Sequence, residues 1–263
     1  MKRPLFDPAW PEEVLALYNH DVREIWDRRV ARHIWNQYHN QLDLYLTIAG
    51  TKRLRVLDIG CAQGTLALLL AERGHSVEAV DIRPQFIEYA RSRYEYGDIT
   101  WTCANAMEWQ PSREYDLIFA NQVLEHLVRP VEFTTRLARW LSPRGRLVVT
   151  TPNWLYVKND LPTFTALGDP RAHLHREFSA DADGHFFAYT AEELRSILRE
   201  SGLTPAEVGF FETPWISGHM KLRLIHGFTP SSILSLLDRA SLAIPYVGPR
   251  MAHQLLAIGI NGV

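Results

Sequence analysis

The stretch "VLDIGCAQGTLALLLAERGHSVEAVD", residues 56 to 81, decides the fold. An apolar run stops at a carboxylate, Asp58, and a loop containing Gly60 and Gly64 follows. A leucine-rich segment comes next, and a second apolar run ends on another carboxylate, Asp81. A strand that ends in a glycine turn and feeds a helix sets backbone N–H groups at the carboxyl edge of a parallel sheet, where open α/β folds bind ligands. "TLALLLAER" is apolar nearly all round, as suits a helix lying on a sheet, and Gly74 stops it.

Outward from this unit the same rhythm continues. Short apolar runs at 54 to 60, 76 to 81, 99 to 104, 115 to 121 and 146 to 152 read as strands. Helical segments alternate with them, one starting at Pro84 and one running from Pro130 to Leu141, closed by the turn sequence "SPRG". This alternation implies right-handed crossovers and a parallel sheet. On the N-terminal side, apolar residues recur at three- and four-residue steps from Val22 to Ile48, which predicts an amphipathic helical cap over residues 1–50, broken near Asn40.

The core spans 51–152. Residues 153–188 mix Pro, Gly, Asp and His with aromatics and read as an irregular, substrate-covering insertion. Regularity returns in 189–263, where Thr190 and Glu193 form a capping box and Gly202 ends the helix. A strand at 206 to 212, a second insertion at 213–250 with a helix near 231 to 242, and a last strand at 254 to 260 complete the chain.

With 263 residues, 46% of them hydrophobic, the chain buries a full core. A formal net charge of -2 without long runs of like charge leaves no electrostatic footprint for nucleic acid or an anionic membrane. The two cysteines, Cys61 and Cys103, read as reduced thiols of a cytoplasmic protein. The opening "MKRPLFDPAWPEEV" lacks the apolar region of a signal peptide, and no apolar run is long enough to span a bilayer. The insertion at 213–250 leaves three uses open: covering the acceptor, forming a homodimer or touching a lipid-linked substrate at a membrane surface.

The ligand class follows from the loop. Asp81 ends the next strand, where a carboxylate accepts hydrogen bonds from a ribose diol. A dinucleotide fingerprint needs three glycines, G-x-G-x-x-G, so that a pyrophosphate can approach bare backbone. Here Ala62 replaces the second, and Leu66 and Ala67 stand where the third would fall. Asp58 directly before the loop repels phosphate and suits a sulfonium or ammonium group. An adenosine-type ligand with a cationic arm is favoured over NAD, which opposes a nicotinamide oxidoreductase.

These residues resemble class I S-adenosylmethionine-dependent methyltransferases: "VLDIGCAQG" and "VEAVD" look like the first motif and its sequel. "CANAMEW" is similar to the segment after the third strand, and "YDLIFANQVLEHLVRPVEFTTRLARWLSPRGRLVVTTPN" to the fourth and fifth strands. "GHFFAYTAEELRSILRESGL" is similar to a segment of the ubiquinone-type and glycan-type small-molecule branch. The resemblance implies an α/β fold with a Rossmann-like, seven-stranded, mostly parallel sheet and helices on both faces. It implies S-adenosylmethionine as methyl donor, S-adenosylhomocysteine as product and a small-molecule or glycan/lipid-precursor acceptor, methylated at oxygen by in-line displacement.

By the same resemblance, Asp58, Gly60, Cys61, Ala62 and Gly64 shape the loop around the methionine moiety. Asp81 holds the ribose, with Ile82 beside the adenine. Asn105 and Ala106 flank the adenine, Asn105 standing where the family often has Asp, and Asn121 and Gln122 lie near the sulfonium and amino-acid tail. His126 is the first candidate base, with Glu125 beside it, and His185 is a second, in the segment leading out of the insertion. In ubiquinone-pathway enzymes a Glu-x-x-Glu-His arrangement binds a divalent cation. Here Gln122 replaces the first Glu, which disfavours a hard-cation site.

The cluster His173, His175, Asp181, Asp183 and His185 has ligand types for a transition metal, but a turn-rich surface lid explains it more cheaply. Trp26 and Trp35 are read as core, and Trp154, Tyr156, Phe164, Phe186, Phe187 and Tyr189 as walls of an acceptor pocket. A cofactor-binding partner subunit without its own chemistry is the competing non-enzymatic reading.

Overall fold

The computed structural model describes residues 1–168, 172 and 187–262. Seven strands, β1 (Arg55–Ile59), β2 (Ser76–Asp81), β3 (Asp98–Cys103), β4 (Tyr115–Asn121), β5 (Leu141–Pro152), β6 (Leu203–Phe211) and β7 (Gln254–Asn261), form one sheet. Their order is β3-β2-β1-β4-β5-β7-β6. The first five run parallel, and β7 lies antiparallel between β5 and β6. This is the α/β, Rossmann-like, mostly parallel sheet that the alternating pattern implied.

Both faces of the sheet are covered, which is why its strands read as continuous apolar runs. Successive side chains of one strand point to opposite faces. Leu57 and Ile59 of β1 join Ile118 and Ala120 of β4 in one core, with α5 (Pro130–Arg139) and α6 (Ala191–Glu200) packed on it through Phe133, Leu137, Leu194 and Ile197. Val56, Leu117 and Phe119 face the other core, against α2 (Arg32–Ala49), α3 (Thr65–Glu72) and α4 (Pro84–Ser92). The capping box is present, Thr190 accepting from the Glu193 N–H while Glu193 accepts from the Thr190 N–H.

Three local expectations are corrected. The N-terminal helical run is not broken near Asn40. Instead α1 (Glu12–Asp21) passes into a π-helical turn, Val22–Trp26, and α2 starts at Arg32. The break falls where Asp27 takes up the backbone N–H and guanidinium of Arg29, a local alternative to the helical ladder. "SPRG" is not a turn ahead of β5 but an irregular part of that strand, which begins at Leu141. Arg144 adopts a φ of 61°, and a Cβ on Gly145 would stand 2.8 Å from the Ser142 carbonyl oxygen, so this excursion needs a glycine. Phe187 and Tyr189 are not pocket walls. They are wholly buried in the core under α6, with Phe164 against them.

The remaining helices, α7 (Pro214–Ser217), α8 (Ser231–Leu242) and α9 (Val247–Met251), and a 3-10 stretch at Leu222–Gly227 lie between β6 and β7. Among the described residues no helix is long and apolar enough to cross a membrane. The strand order reverses between β1 and β4, and ligands of open α/β sheets bind outside the carboxyl ends of the strands at such a switch point. Since β6 and β5 are both antiparallel to β7, the end of β6 and the start of β7 lie on that same edge.

Candidate active site

The loop after β1 is turned in on itself. Gly60 and Cys61 both donate their N–H to the Val80 carbonyl, at 2.8 and 3.0 Å, and Gly64 donates to the Cys61 carbonyl. Ala62 N–H donates to Asp81 Oδ2 at 2.8 Å. Gly60, Ala62 and Gly64 all have positive φ, at 71°, 47° and 73°. A Cβ on Gly64 would stand 2.7 Å from the Trp101 ring and 2.9 Å from Ala90. With these four donors spent inside the loop, a pyrophosphate finds little free backbone to bind.

Two buried carboxylates flank the loop. Asp58 is 3% exposed, and burial, reinforced by the neighbouring charge of Asp81, pushes its carboxyl up to about 7 against the pull of the Ala67 N–H. Asp81 is also buried, and besides the Ala62 N–H it accepts from the Arg83 backbone N–H and from Arg83 Nε at 3.1 Å. The Arg83 guanidinium lies over the Phe86 ring, 3.6 Å from its centroid. Ile82, between Asp81 and Arg83 in the chain, is exposed, and Ala104 N–H donates to the Asp81 carbonyl, joining the ends of β2 and β3. Asn105 follows at that edge. Its Oδ1 accepts from Met107 N–H at 2.9 Å, and Ala106 packs against the core.

Across the switch point, Asn121 ends β4, and Gln122 takes a φ of 52°. The Gln122 amide donates to Gln254 Oε1 at 2.9 Å and to Thr150 Oγ1 at 3.2 Å, so it faces β5 and β7. Glu125 and His126 lie on a 3-10 turn, Leu124–His126, that the Tyr189 hydroxyl holds by donating to the Leu124 carbonyl. Glu125 is buried, and burial pushes its carboxyl up to about 8. Among the described residues no three His, Cys, Asp or Glu side chains are grouped to hold a metal ion. His185 lies outside the described residues, as do His173, His175, Asp181, Asp183 and Phe186.

Sequence reasoning missed two groups. Arg93, at the end of α4, is wholly buried and pairs with the equally buried Asp21, Nε to Oδ2 at 3.0 Å. It also donates to the Gln63 carbonyl at 2.7 Å and to Thr65 Oγ1 at 2.9 Å, so it ties the cofactor-type loop to the N-terminal helices. Tyr89 donates to Asp21 Oδ2 at 2.7 Å, and Gln63 donates to Glu24 in the π-helical turn. Desolvation outweighs Arg93 and Tyr89, and the Asp21 carboxyl is pushed up to about 6. In the sequence Arg93 is one polar letter in an amphipathic helix, and no spacing relates it to Asp21.

The second group begins at Glu212, just past β6, with no exposed surface and a φ of 66°. Gln37 and Gln41 of α2 donate to its two oxygens, and His253 Nδ1 lies 3.5 Å from Oε1. His253 Nε2 is 2.6 Å from His219 Nδ1, and the Tyr156 hydroxyl is 3.1 Å from the same nitrogen. Forty-one residues separate Glu212 from His253, and only the antiparallel pairing of Phe211 with Gln254 brings them together.

A family model of the methyltransferase domain matches residues 18–208. The ubiquinone biosynthesis O-methyltransferase of Roseobacter denitrificans is 30% identical over 65% of this chain and 68% of its own. The malonyl-[acyl-carrier protein] O-methyltransferase of Anoxybacillus flavithermus is 38% identical over 36% of this chain. That match takes in 38% of its own length, so the chain spans about two fifths of such relatives. Among solved structures, the N-methyltransferase NodS of Bradyrhizobium japonicum with bound S-adenosyl-L-homocysteine superposes at a TM-score of 0.53. It is 18% identical and covers 96% of this chain and 100% of its own, a likeness of fold. With a family model covering most of its length and the sheet order of its fold in place, the chain belongs to the methyltransferase domain family.

Proposed function

We propose that this protein transfers a methyl group from S-adenosylmethionine to an oxygen of a small-molecule acceptor. The observation that carries the proposal is the inward-turned loop between two buried carboxylates, Asp58 and Asp81. That arrangement repels a diphosphate and accepts a cation and a diol. The residues present fit the donor: Asp58 faces its positively charged methionine arm, and Asp81 its ribose hydroxyls. Ile82, Asn105 and Ala106 border the adenine, and Asn121 and Gln122 the amino-acid end.

When bound, S-adenosylmethionine supplies an electrophilic methyl group. The protein's part is to align the acceptor behind that methyl and exclude water, and alignment alone contributes on the order of 7 to 11 kcal/mol. The O-methyltransferase names of the relatives favour oxygen. Glu125 and His126, on the turn after β4, are candidates to receive the acceptor's proton, and His185 stands as a third. Calorimetric titration with S-adenosylmethionine, S-adenosylhomocysteine and NAD tests the reading. Micromolar binding of both sulfur nucleosides, lost in Asp81→Ala, is expected. Preference for NAD overturns it.

A further inference from the structure

We propose that Glu212, His253 and His219 form a proton relay that deprotonates the acceptor, and that the acceptor's reacting group is therefore a neutral hydroxyl, not a carboxylate. The inference rests on the methyl-transfer reading, puts this relay in the place of Glu125, His126 and His185 as the base, and adds the substrate class.

Placement comes first. Along the carboxyl edge the strands follow in the order β1, β4, β5, β7, β6. Gln122 at the end of β4 is hydrogen-bonded to Gln254 at the start of β7, and Gln254 pairs across the sheet with Phe211, the residue before Glu212. His253 therefore stands two strand spacings from β4, about 10 Å at the ordinary strand spacing. We place the acceptor there, past the methyl end of the donor. Ala62, Gln122 and Glu212 all hold positive φ on this one edge, and such strain in non-glycine residues concentrates at functional sites.

The chemistry follows from the contacts, with His253 Nδ1 at ion-pair distance, 3.5 Å, from Glu212 Oε1. Glu212 is fully buried, and two glutamine amides and His253 surround it. A buried carboxylate so placed orients the imidazole that faces it, as in acid–histidine catalytic pairs. His253 then carries its proton on Nδ1, toward Glu212. Its Nε2 is left as an acceptor for His219 Nδ1–H at 2.6 Å, with the Tyr156 hydroxyl oxygen, 3.1 Å from the same nitrogen, as the second acceptor of that proton. That leaves a bare lone pair on His219 Nε2, and His219 is exposed at the outer end of the chain.

Burial, together with His253, Lys158 and His33, lowers His219 to about 4, so by itself it holds a proton poorly. In the relay it need not. As the acceptor oxygen forms its bond to the methyl and the sulfur–methyl bond breaks, the hydroxyl proton passes to His219 Nε2. The Nδ1 proton moves on to His253 Nε2, and the positive charge comes to rest beside Glu212. The sulfonium ends as a neutral thioether, and the proton later leaves to water through His219. A carboxylate acceptor is already ionised at neutral pH and needs none of this. His33 supports the turn that carries His219, since a Cβ on Gly218 would stand 2.8 Å from the His33 Cβ.

Nitrogen NMR of the histidine rings in the full chain at neutral pH, with and without S-adenosylhomocysteine, tests the relay. The expected result is His219 as the neutral Nδ1–H tautomer, reverting to Nε2–H in His253→Phe while the backbone amide spectrum stays folded. An Nε2–H tautomer in the wild type overturns the relay. This readout needs no turnover, so it is separable from the donor titration, whose failure would strike only the methyl-transfer reading.

4-Nitrophenol, added to the S-adenosylhomocysteine complex at a pH where the free probe is neutral, tests the substrate class. A phenolate absorption band that disappears in His219→Gln, with probe binding retained, supports the neutral-hydroxyl acceptor. Saturating probe without that band overturns it.

Discussion

Asp58 shows how a single buried carboxylate can make ligand binding depend on pH. In the free protein its acid form prevails below about pH 7, whereas a cationic ligand binds the carboxylate. Affinity for S-adenosylmethionine should therefore fall roughly tenfold per pH unit on the acid side, with proton release on binding. Calorimetry in buffers of different ionisation heat checks this, and Asp58→Asn should flatten the profile. The two loop glycines should differ. Gly64→Ala drives a methyl into the Trp101 ring and Ala90 at positive φ, whereas Gly60→Ala meets only the Val123 Cγ2 end of a side chain. Denaturant unfolding should show Gly64→Ala as the costlier change, at about 2 kcal/mol or more. These residues were legible because one contiguous stretch contains both strand ends and the loop. Arg83, two residues beyond Asp81, went unread because its role is to cover that carboxylate, a contact with no sequence signature.

Among the elements, α4 contributes more than packing. Through Arg93 it joins the loop, the start of α3 and the end of α1, and removing one partner of a buried pair typically costs about 3–5 kcal/mol. Arg93→Met should lose stability on that order in urea. Adding Asp21→Leu should restore much of it, because no charge is then left buried alone. S-adenosylhomocysteine affinity should stay reduced in the double variant, since the Gln63 carbonyl and Thr65 have still lost their donor. Helix and strand boundaries were readable where periodicity and caps agree, as at Thr190. They were missed where a side chain competes with the backbone ladder, as Asp27 does before α2, or where a strand continues through an irregularity, as β5 does at Arg144.

Among the described residues one sheet carries a core on each face, a smaller apolar cluster joins α1 to α4 at Leu17, Tyr18 and Tyr89, and the donor is expected to bind where the strand order reverses. A ligand that binds only the folded state at a hundredfold excess over its dissociation constant stabilises it by about 2.7 kcal/mol. S-adenosylhomocysteine should accordingly raise the unfolding midpoint by roughly 5 to 10 °C at this chain length, a shift absent in Asp81→Ala and measurable by calorimetric scanning. What the sequence determined by itself was local or periodic: the alternation of strands and helices, the glycine loop between two acidic strand ends, and the capping box. Each is set by neighbours a few residues apart, so the order of letters suffices. The pairing of β7 between β5 and β6, the Arg93–Asp21 bridge and the line from Glu212 through His253 to His219 were decided only by the tertiary structure. Their partners lie tens of residues apart, and packing alone brings them into contact.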